Sequence, residues 1–350
     1  EQETVTGAVP LHPIQHWFFE QDRPDPHHAN MAVMLRCSEP LNLEALRIAV
    51  EALLDHHDAL RTAFQSEDGR WRQEVLASVS TNPVRRVDLS ATDPATRSAS
   101  MEEEAARAQR QLDLESADLV RVVYFDCGPD DAGRLPVVIH HLVFHGASLR
   151  SFLEDLEEAY RDLVSGRGVG LPLKTTSYKR WNEALVAYAD SPELLAELDR
   201  WRSLLPAQVQ SLPRDTPEDA RSNTFADQAV VERSLSADMT RKLVRDVPAA
   251  RDARTDEVLL AALTGTVCTW TDRHGLHLEL EGHGRELFQE GVDPTRTVGW
   301  FTTVYPAYVA FGGDDPEAEL ASVRDAVQSI PNKGCGYGIL RQRADGQVRV

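Results

Sequence analysis

Two hydrophobic periods interleave along this chain. Leu135-Pro136-Val137-Val138-Ile139 is an unbroken apolar run that predicts a buried strand, ending in the paired imidazoles of His140 and His141. Beyond Gly146 the period becomes that of a helix, with Leu149, Phe152, Leu153 and Leu156 on one face and Ser148 as the expected N-cap. The same alternation of periods fills the first half. Pro13 suits the first turn of a short helix with an aromatic face through Trp17 and Phe18. Met31–Cys37 reads as a strand, and Asn42 caps an amphipathic helix through Leu43, Leu46, Val50 and Leu53. Strands are expected at Trp71–Leu76 and Leu119–Phe125, the latter turning at Gly128–Gly133 into the antiparallel run at Leu135. An Ala-, Glu- and Arg-rich stretch from Asp93 to Leu112 predicts a solvated helix.

The Gly-rich stretch Ser165–Pro172 reads as a linker. It predicts two domains, 1–170 and 171–350. In the second, helices are expected around Trp181 and over Pro192–Leu205, and a strand over Gln228–Leu235. Further helices are expected from Ser236 and Thr255, followed by an alternating strand at Leu276–Leu280. The result is an α/β (α+β) chain with mixed, largely antiparallel sheets.

Composition narrows the function. With 37 basic and 56 acidic residues among 350 the net charge is −19, so neither nucleic acid nor an anionic membrane is the expected partner. Cys37, Cys127, Cys268 and Cys335 lie far apart with no CxxC pairing, which argues against a zinc knuckle or disulfide framework and for a reducing, cytoplasmic setting. No signal segment or membrane-length apolar run is present.

Paired histidines at a strand end suit general acid–base chemistry, because neutral imidazole exchanges protons near pH 7. Packed structural histidines are the plainer reading of such a pair. Three imidazoles at His140, His141 and His145 could in principle hold zinc, but neighbours along a strand point to opposite faces, and no metal is expected.

Six ordered motifs between Val9 and Arg341 decide between these readings. His140-His141-Leu142-Val143-Phe144-His145-Gly146 resembles HHxxxDG, and Leu11–Phe19 resembles PIQxWF. His56–Phe64 resembles HHDALRxxF, Glu281–Glu286 is similar to EGHGRE, Arg296–Thr302 to RTVGWFT and Pro331–Arg341 to PNKGxGYGxLR. Together they resemble the condensation and epimerization superfamily of nonribosomal peptide synthetases, with wording nearest the epimerization branch. The resemblance implies two chloramphenicol acetyltransferase-like subdomains in a V-shaped pseudo-dimer. A tunnel between them would admit phosphopantetheine arms of peptidyl or aryl carrier proteins, with other synthetase domains as partners and no cofactor of its own. It implies a place in natural product, including antibiotic, biosynthesis.

It also assigns roles. His141 is the implied proton-handling residue, Glu281 the group facing it in epimerization, and His140, His145, Gly146 and Arg285 support them. Inverting an α-carbon needs one group to remove the proton and another to return it on the opposite face. The thioester acidifies that proton, and the enolate-like state needs nearby donors. Two departures stand out. His145 replaces the family's aspartate, which braces the loop against an arginine, here Arg285, and a histidine cannot make that bidentate pair. Nothing after Arg341 resembles the family's FNYLG element, so the second subdomain is expected to be incomplete. Epimerization of a carrier-bound aminoacyl or peptidyl thioester is the leading activity. Condensation-type acyl transfer, and a catalytically altered module that recruits a carrier protein or tailoring enzyme, are the alternatives.

Overall fold

The computed structural model describes residues 2–80, 82–129, 131–204, 211–215, 225–286 and 291–343. Contacts divide the chain into two compact units. The first comprises Glu1–Leu195, Gly282–Thr303 and a portion beginning at Gly338; the second comprises Ala196–Glu281 and Val304–Tyr337. The Gly-rich stretch at 165–172 is therefore interior to the first unit, which runs past residue 170 to Leu195 and takes back a segment of the later chain.

The first unit opens with β1 (Gly7–Val9), α1 (Pro13–Phe19), β2 (Asn30–Arg36) and α2 (Leu43–His56). There follow β3 (Thr62–Glu67), β4 (Arg70–Val75), β5 (Val84–Asp88), α3 (Pro94–Gln109), β6 (Val120–Asp126), β7 (Arg134–His140), α4 (Gly146–Val164) and α5 (Tyr178–Tyr188). One sheet has the order β2-β7-β6-β5, with only the β5–β6 pair parallel; a smaller sheet has the order β1-β4-β3. The strands β1, β3 and β5 are too short or too polar to stand out as periods in the sequence.

The apolar run became the central strand, because a strand with neighbours on both edges and helices on both faces has no polar side. Val137, Val138 and Ile139 are at most 2% exposed. Alternate side chains serve opposite layers. Val123, Phe125 and Val138 pack with Leu89, Ala108 and Leu112 at α3 and its flanks. Tyr124 points the other way, its hydroxyl accepting the Leu41 N–H at 3.2 Å just before α2. On that side α2 buries Ala45, Leu46, Ala49, Val50 and Leu53 against α4, whose Phe152, Leu156 and Ala159 are buried. Asn42 caps α2 as its sequence predicts, accepting the Ala45 N–H at 3.0 Å.

Behind α2 the chain turns at Arg61, which is fully buried. Every guanidinium N–H is used. Nε donates to Leu76 O (3.0 Å), Nη1 to Leu54 O and Asp55 O, and Nη2 to Val5 O (3.2 Å) and Asp58 Oδ1 (2.8 Å). The arginine thereby satisfies carbonyls left over at the end of α2 and ties them to both flanking segments. This is the physical content of the HHDALR motif.

Helix α6 (Pro192–Leu204) carries the chain from the first unit into the second, where α7 (Ala237–Arg241) and a π-helical turn at Lys242–Asp246 lead to α8 (Val247–Arg251). Next come α9 (Thr255–Thr271), β8 (Gly275–Gly282), β9 (Thr303–Ala310), α10 (Pro316–Ser329) and α11 (Cys335–Gln342). β8 and β9 form a two-stranded sheet. The strand expected over Gln228–Leu235 is absent: Val230 and Val231 are 71% and 79% exposed, and no strand among the described residues pairs with them. In α9 the apolar positions Leu259 and Leu263 lie outward, while Glu257, Thr264 and Cys268 form the buried stripe. No described helix is long and apolar enough to cross a membrane.

Arg61→Met should lower unfolding stability by roughly 3–5 kcal/mol, as expected when one partner of a buried ion pair is removed. Arg61→Lys should recover little of it, since three donors cannot replace five. Urea melts of both variants check this, and a lysine variant as stable as the parent would show that charge alone suffices.

Candidate active site at the end of the central strand

Strand β7 ends on His140, whose imidazole is fully buried. Its Nε2 lies 2.8 Å from Pro26 O, and its Nδ1 accepts the Leu142 N–H at 3.1 Å. A carbonyl only accepts and an amide N–H only donates, so the tautomer is set: proton on Nε2, lone pair on Nδ1. Both ring nitrogens are occupied by backbone, and neither can ligate a metal without breaking that arrangement. His140 is the packed structural histidine of the pair.

His141 does not continue the strand. It opens a 3-10 turn over His141–Val143, with its amide bonded to Ala29 O (2.9 Å) and its carbonyl to Phe144 N (3.2 Å). The two imidazoles are thus separated by the break into a turn, where strand alternation was expected to separate them. His141 is half-buried, and its ring centroid stands 4.4 Å from that of Trp300. The turn is held from below by Gln15, whose Nε2 donates to Leu142 O at 2.9 Å while its side chain pairs with that of Gln73. Gln15 is the glutamine of the PIQxWF motif.

His145 precedes α4 in the N-cap position, 4% exposed, and its side chain makes no cap bond. The expected cap, Ser148, instead lies in the first turn, and its hydroxyl serves the tertiary structure: Oγ donates to Gly299 O (3.0 Å) and accepts from Arg285 Nη2 (3.0 Å). Gly146 has no left-handed backbone and no heavy atom within 4 Å of where a Cβ would stand. Its support of the site is therefore not steric necessity.

The segment Gly282–Thr303 brings the later motifs to this turn. Trp300 packs on His141 and Phe18, and Phe301 is ringed by His145, Tyr178 and Trp181 at 5.1–5.9 Å between centroids. The Tyr178 hydroxyl donates to Trp300 O at 2.8 Å, and Arg296 pairs with Asp155 of α4 at 2.5 Å. Gly284, at φ +68°, needs its missing side chain twice over, since a Cβ there would overlap the Phe301 carbonyl. Trp300, Phe301, Tyr178, Ser148 and the buried His12 were not singled out as site residues. The motif wording around them was the available signal, but which motif meets which is tertiary information.

Arg285 is near enough to His145 to disfavour protonation of that imidazole, and the arginine's Cζ is 4.2 Å from the Phe301 ring centroid. Its Nη atoms donate to Pro294 O, Thr297 O and Ser148 Oγ, all neutral acceptors. Among the described residues its Nε has no hydrogen-bond partner, and neither has either ring nitrogen of His145. None of the described hydrogen-bond acceptors of Arg285 is a carboxylate. Glu281 is the last residue of the second unit's first segment, Ala196–Glu281, and is exposed near the end of β8.

Among the described residues, the one group of three potential metal ligands is His56, His57 and Asp155, with donor atoms within 4.8 Å. Asp155 is already engaged by Arg296 and by His57 Nε2 at 3.0 Å, and Lys174 faces His56. These cations make it an ion-pair cluster that ties α4 to the Arg296 segment.

Burial keeps three histidines here neutral. It lowers His12 to about 3, assisted by His145 and His16, and lowers His140 to about 4 despite the Pro26 carbonyl. It lowers His145 to about 3, with Arg285 as the next cause. An unfolded histidine takes its proton near 6.5, so between that value and the folded ones the unfolded chain binds more protons. Stability should thus be fully present above about pH 6.5 and fall as pH drops, by about 1.4 kcal/mol per pH unit for each histidine. Urea melts from about pH 7.5 to about pH 4.5 check the slope. His140→Ala should remove one histidine's share of it while costing about 1–3 kcal/mol at neutral pH for the orphaned backbone groups.

Comparison with known proteins places this geometry. The Condensation domain model matches residues 5–349. A linear gramicidin synthase polypeptide of Brevibacillus parabrevis is 43% identical over 344 residues, covering 97% of this chain, and a plipastatin synthase polypeptide of Bacillus subtilis (strain 168) is 36% identical over 345, also covering 97%. The chain spans only 4% and 13% of those two relatives' lengths. Among solved structures, the epimerization domain from the third module of tyrocidine synthetase B superposes with a TM-score of 0.91 at 34% identity, covering 98% of this chain and 77% of that one. The first condensation domain of the calcium-dependent antibiotic synthetase, with a TM-score of 0.73 at 20% identity over 94% of this chain and 74% of its own, shares the fold. Motifs, fold and identity over nearly the whole chain agree: it belongs to the Condensation domain family, which unites the condensation and epimerization domains of nonribosomal peptide synthetases.

Proposed function

We propose that this chain epimerizes the α-carbon of an aminoacyl or peptidyl thioester presented on carrier-protein phosphopantetheine. The observation that favours epimerization over amide formation is the difference in likeness: 34% identity and a TM-score of 0.91 to an epimerization domain, against 20% and 0.73 to a condensation domain. In this reading His141 is one proton-handling residue, partly open at the end of β7, and Glu281 takes the second role from its place in the EGHGRE motif. One group removes the α-proton to leave an enolate-like thioester; the other returns a proton to the opposite face, so the product differs only in configuration. Trp300 against the His141 ring limits the imidazole's freedom, which favours a fixed approach to the α-carbon. The carrier arm is substrate, and the chain needs no cofactor of its own. Condensation-type acyl transfer is the second reading, favoured by the family model, with His141 as base or positioning group.

In deuterated buffer a carrier-loaded aminoacyl thioester should exchange its α-proton and lose stereochemical purity. His141→Ala should slow this by about 10²–10⁴-fold, the usual worth of a general acid–base residue, with the melting temperature little changed. Glu281→Ala should block inversion more than exchange. Amide formation with an acceptor amine, and no α-exchange, would replace this reading with the second.

A further inference from the structure

The histidine turn rests on a buried pair of side-chain amides. Gln15 of α1 is fully buried, and Gln73 of β4 is 3% exposed. Backbone partners fix how each amide is turned, since a carbonyl only accepts and an amide N–H only donates. Gln15 Nε2 donates to Leu142 O at 2.9 Å, while its Oε1 accepts the His12 N–H, also at 2.9 Å. Gln73 Nε2 donates to Pro10 O at 2.8 Å. With both orientations set, the two amides close head to tail, Gln73 Nε2 donating to Gln15 Oε1 at 2.8 Å and Gln15 Nε2 to Gln73 Oε1 at 3.1 Å. No N–H of either side chain is left over, and a buried network satisfied in this way is rigid.

This network ends one residue from His141. The His141 N–H is held by Ala29 O at 2.9 Å, the Leu142 N–H by His140 Nδ1 at 3.1 Å, and the Leu142 carbonyl by Gln15. Of these anchors only Gln15 is a side chain from outside the histidine pair. Trp300 walls one side of the His141 ring at 4.4 Å between centroids, and Gln15 fixes the backbone beneath it. We propose that Gln15, oriented by Gln73, is a positioning residue for His141: it sets where the imidazole stands at the end of β7 and so how it approaches the α-carbon of the substrate. The inference rests on the proton-handling role given to His141 above. A packing role alone would lower stability and leave the rate of folded molecules unchanged, whereas a positioning role lowers that rate.

The test measures α-proton exchange of a carrier-loaded aminoacyl thioester by the 350-residue chain in deuterated buffer, well below the melting temperature of each variant. Gln15→Leu should lower kcat per folded molecule by about 10–10²-fold, the scale of a displaced reacting group, with KM for the loaded carrier unchanged. Gln15→Glu supplies a pH signature. A carboxylic acid donates only while protonated, and burial raises its pKa, so this variant should approach the parent at the acid end of a pH series and fall away from it as pH rises. Where Gln15→Leu does not fold, Gln73→Met frees the Gln15 amide without touching the turn, and kcat should fall by about tenfold. NMR of ring-labelled histidine gives a readout independent of turnover: the His141 signal, assigned with His141→Ala, should move in the Gln15 or Gln73 variant while that of His277 in β8 does not. Unchanged kcat per folded molecule, or an unmoved His141 signal, would overturn the proposal. A parent chain without exchange, whose His141 signal still moves with Gln15, would sink the reaction and leave the positioning standing.

Discussion

Ser148 is the knot on which the site depends. Its hydroxyl is buried in the first turn of α4, donates to the Gly299 carbonyl and accepts from Arg285. Through those two bonds the segment Gly282–Thr303 is fixed on the helix that follows the histidine turn. Around it, Tyr178 holds the Trp300 carbonyl, and the Thr297 hydroxyl donates to Thr176 O at 2.6 Å. Asp155 holds Arg296 further along the helix. With this seating Trp300 lies on His141 and Phe301 on His145. A hydroxyl both donates and accepts, so a single serine can bond a carbonyl and a guanidinium at once.

The site concentrates neutral imidazoles in a dry aromatic setting. His12 is buried against Tyr178 and Phe301, His140 against Phe18, and His145 against Phe301. Low polarity there opposes charge on any of them, and Arg285 reinforces the effect at His145. His141 is the one least enclosed. The arrangement separates two duties within one motif: His140 is locked by backbone partners on both nitrogens, and His141 is turned away from the strand by the 3-10 turn.

His145 stands where the HHxxxDG wording that this turn resembles has aspartate. Its imidazole does not cap α4, and among the described residues its ring nitrogens have no hydrogen-bond partner. The neighbouring bonds nevertheless hold, because Arg285 draws on Pro294 O, Thr297 O and Ser148 Oγ. The loop is braced by neutral acceptors.

Local signals in the sequence were sufficient for the main elements of the first unit and for the histidine pair. The apolar run at Leu135–Ile139 could only be a central strand, Asn42 could only help as a cap, and the six motifs identified the family. Where the sequence misled, tertiary bonding overrode a local preference. Ser148 has the right chemistry for an N-cap, but its hydroxyl is worth more bridging Gly299 and Arg285. Gln228–Leu235 has the composition of a strand, but a strand exists only with a partner, and none of the described residues supplies one. The Gly-rich stretch looks like a boundary, yet long-range bonds such as Thr176 N to Asp293 O, at 2.8 Å, keep the chain beyond it in the first unit. Sequence order contains the parts of this site; the meeting of Trp300 with His141 and Arg285 with His145 arises from contacts between residues more than a hundred positions apart, which no local period encodes.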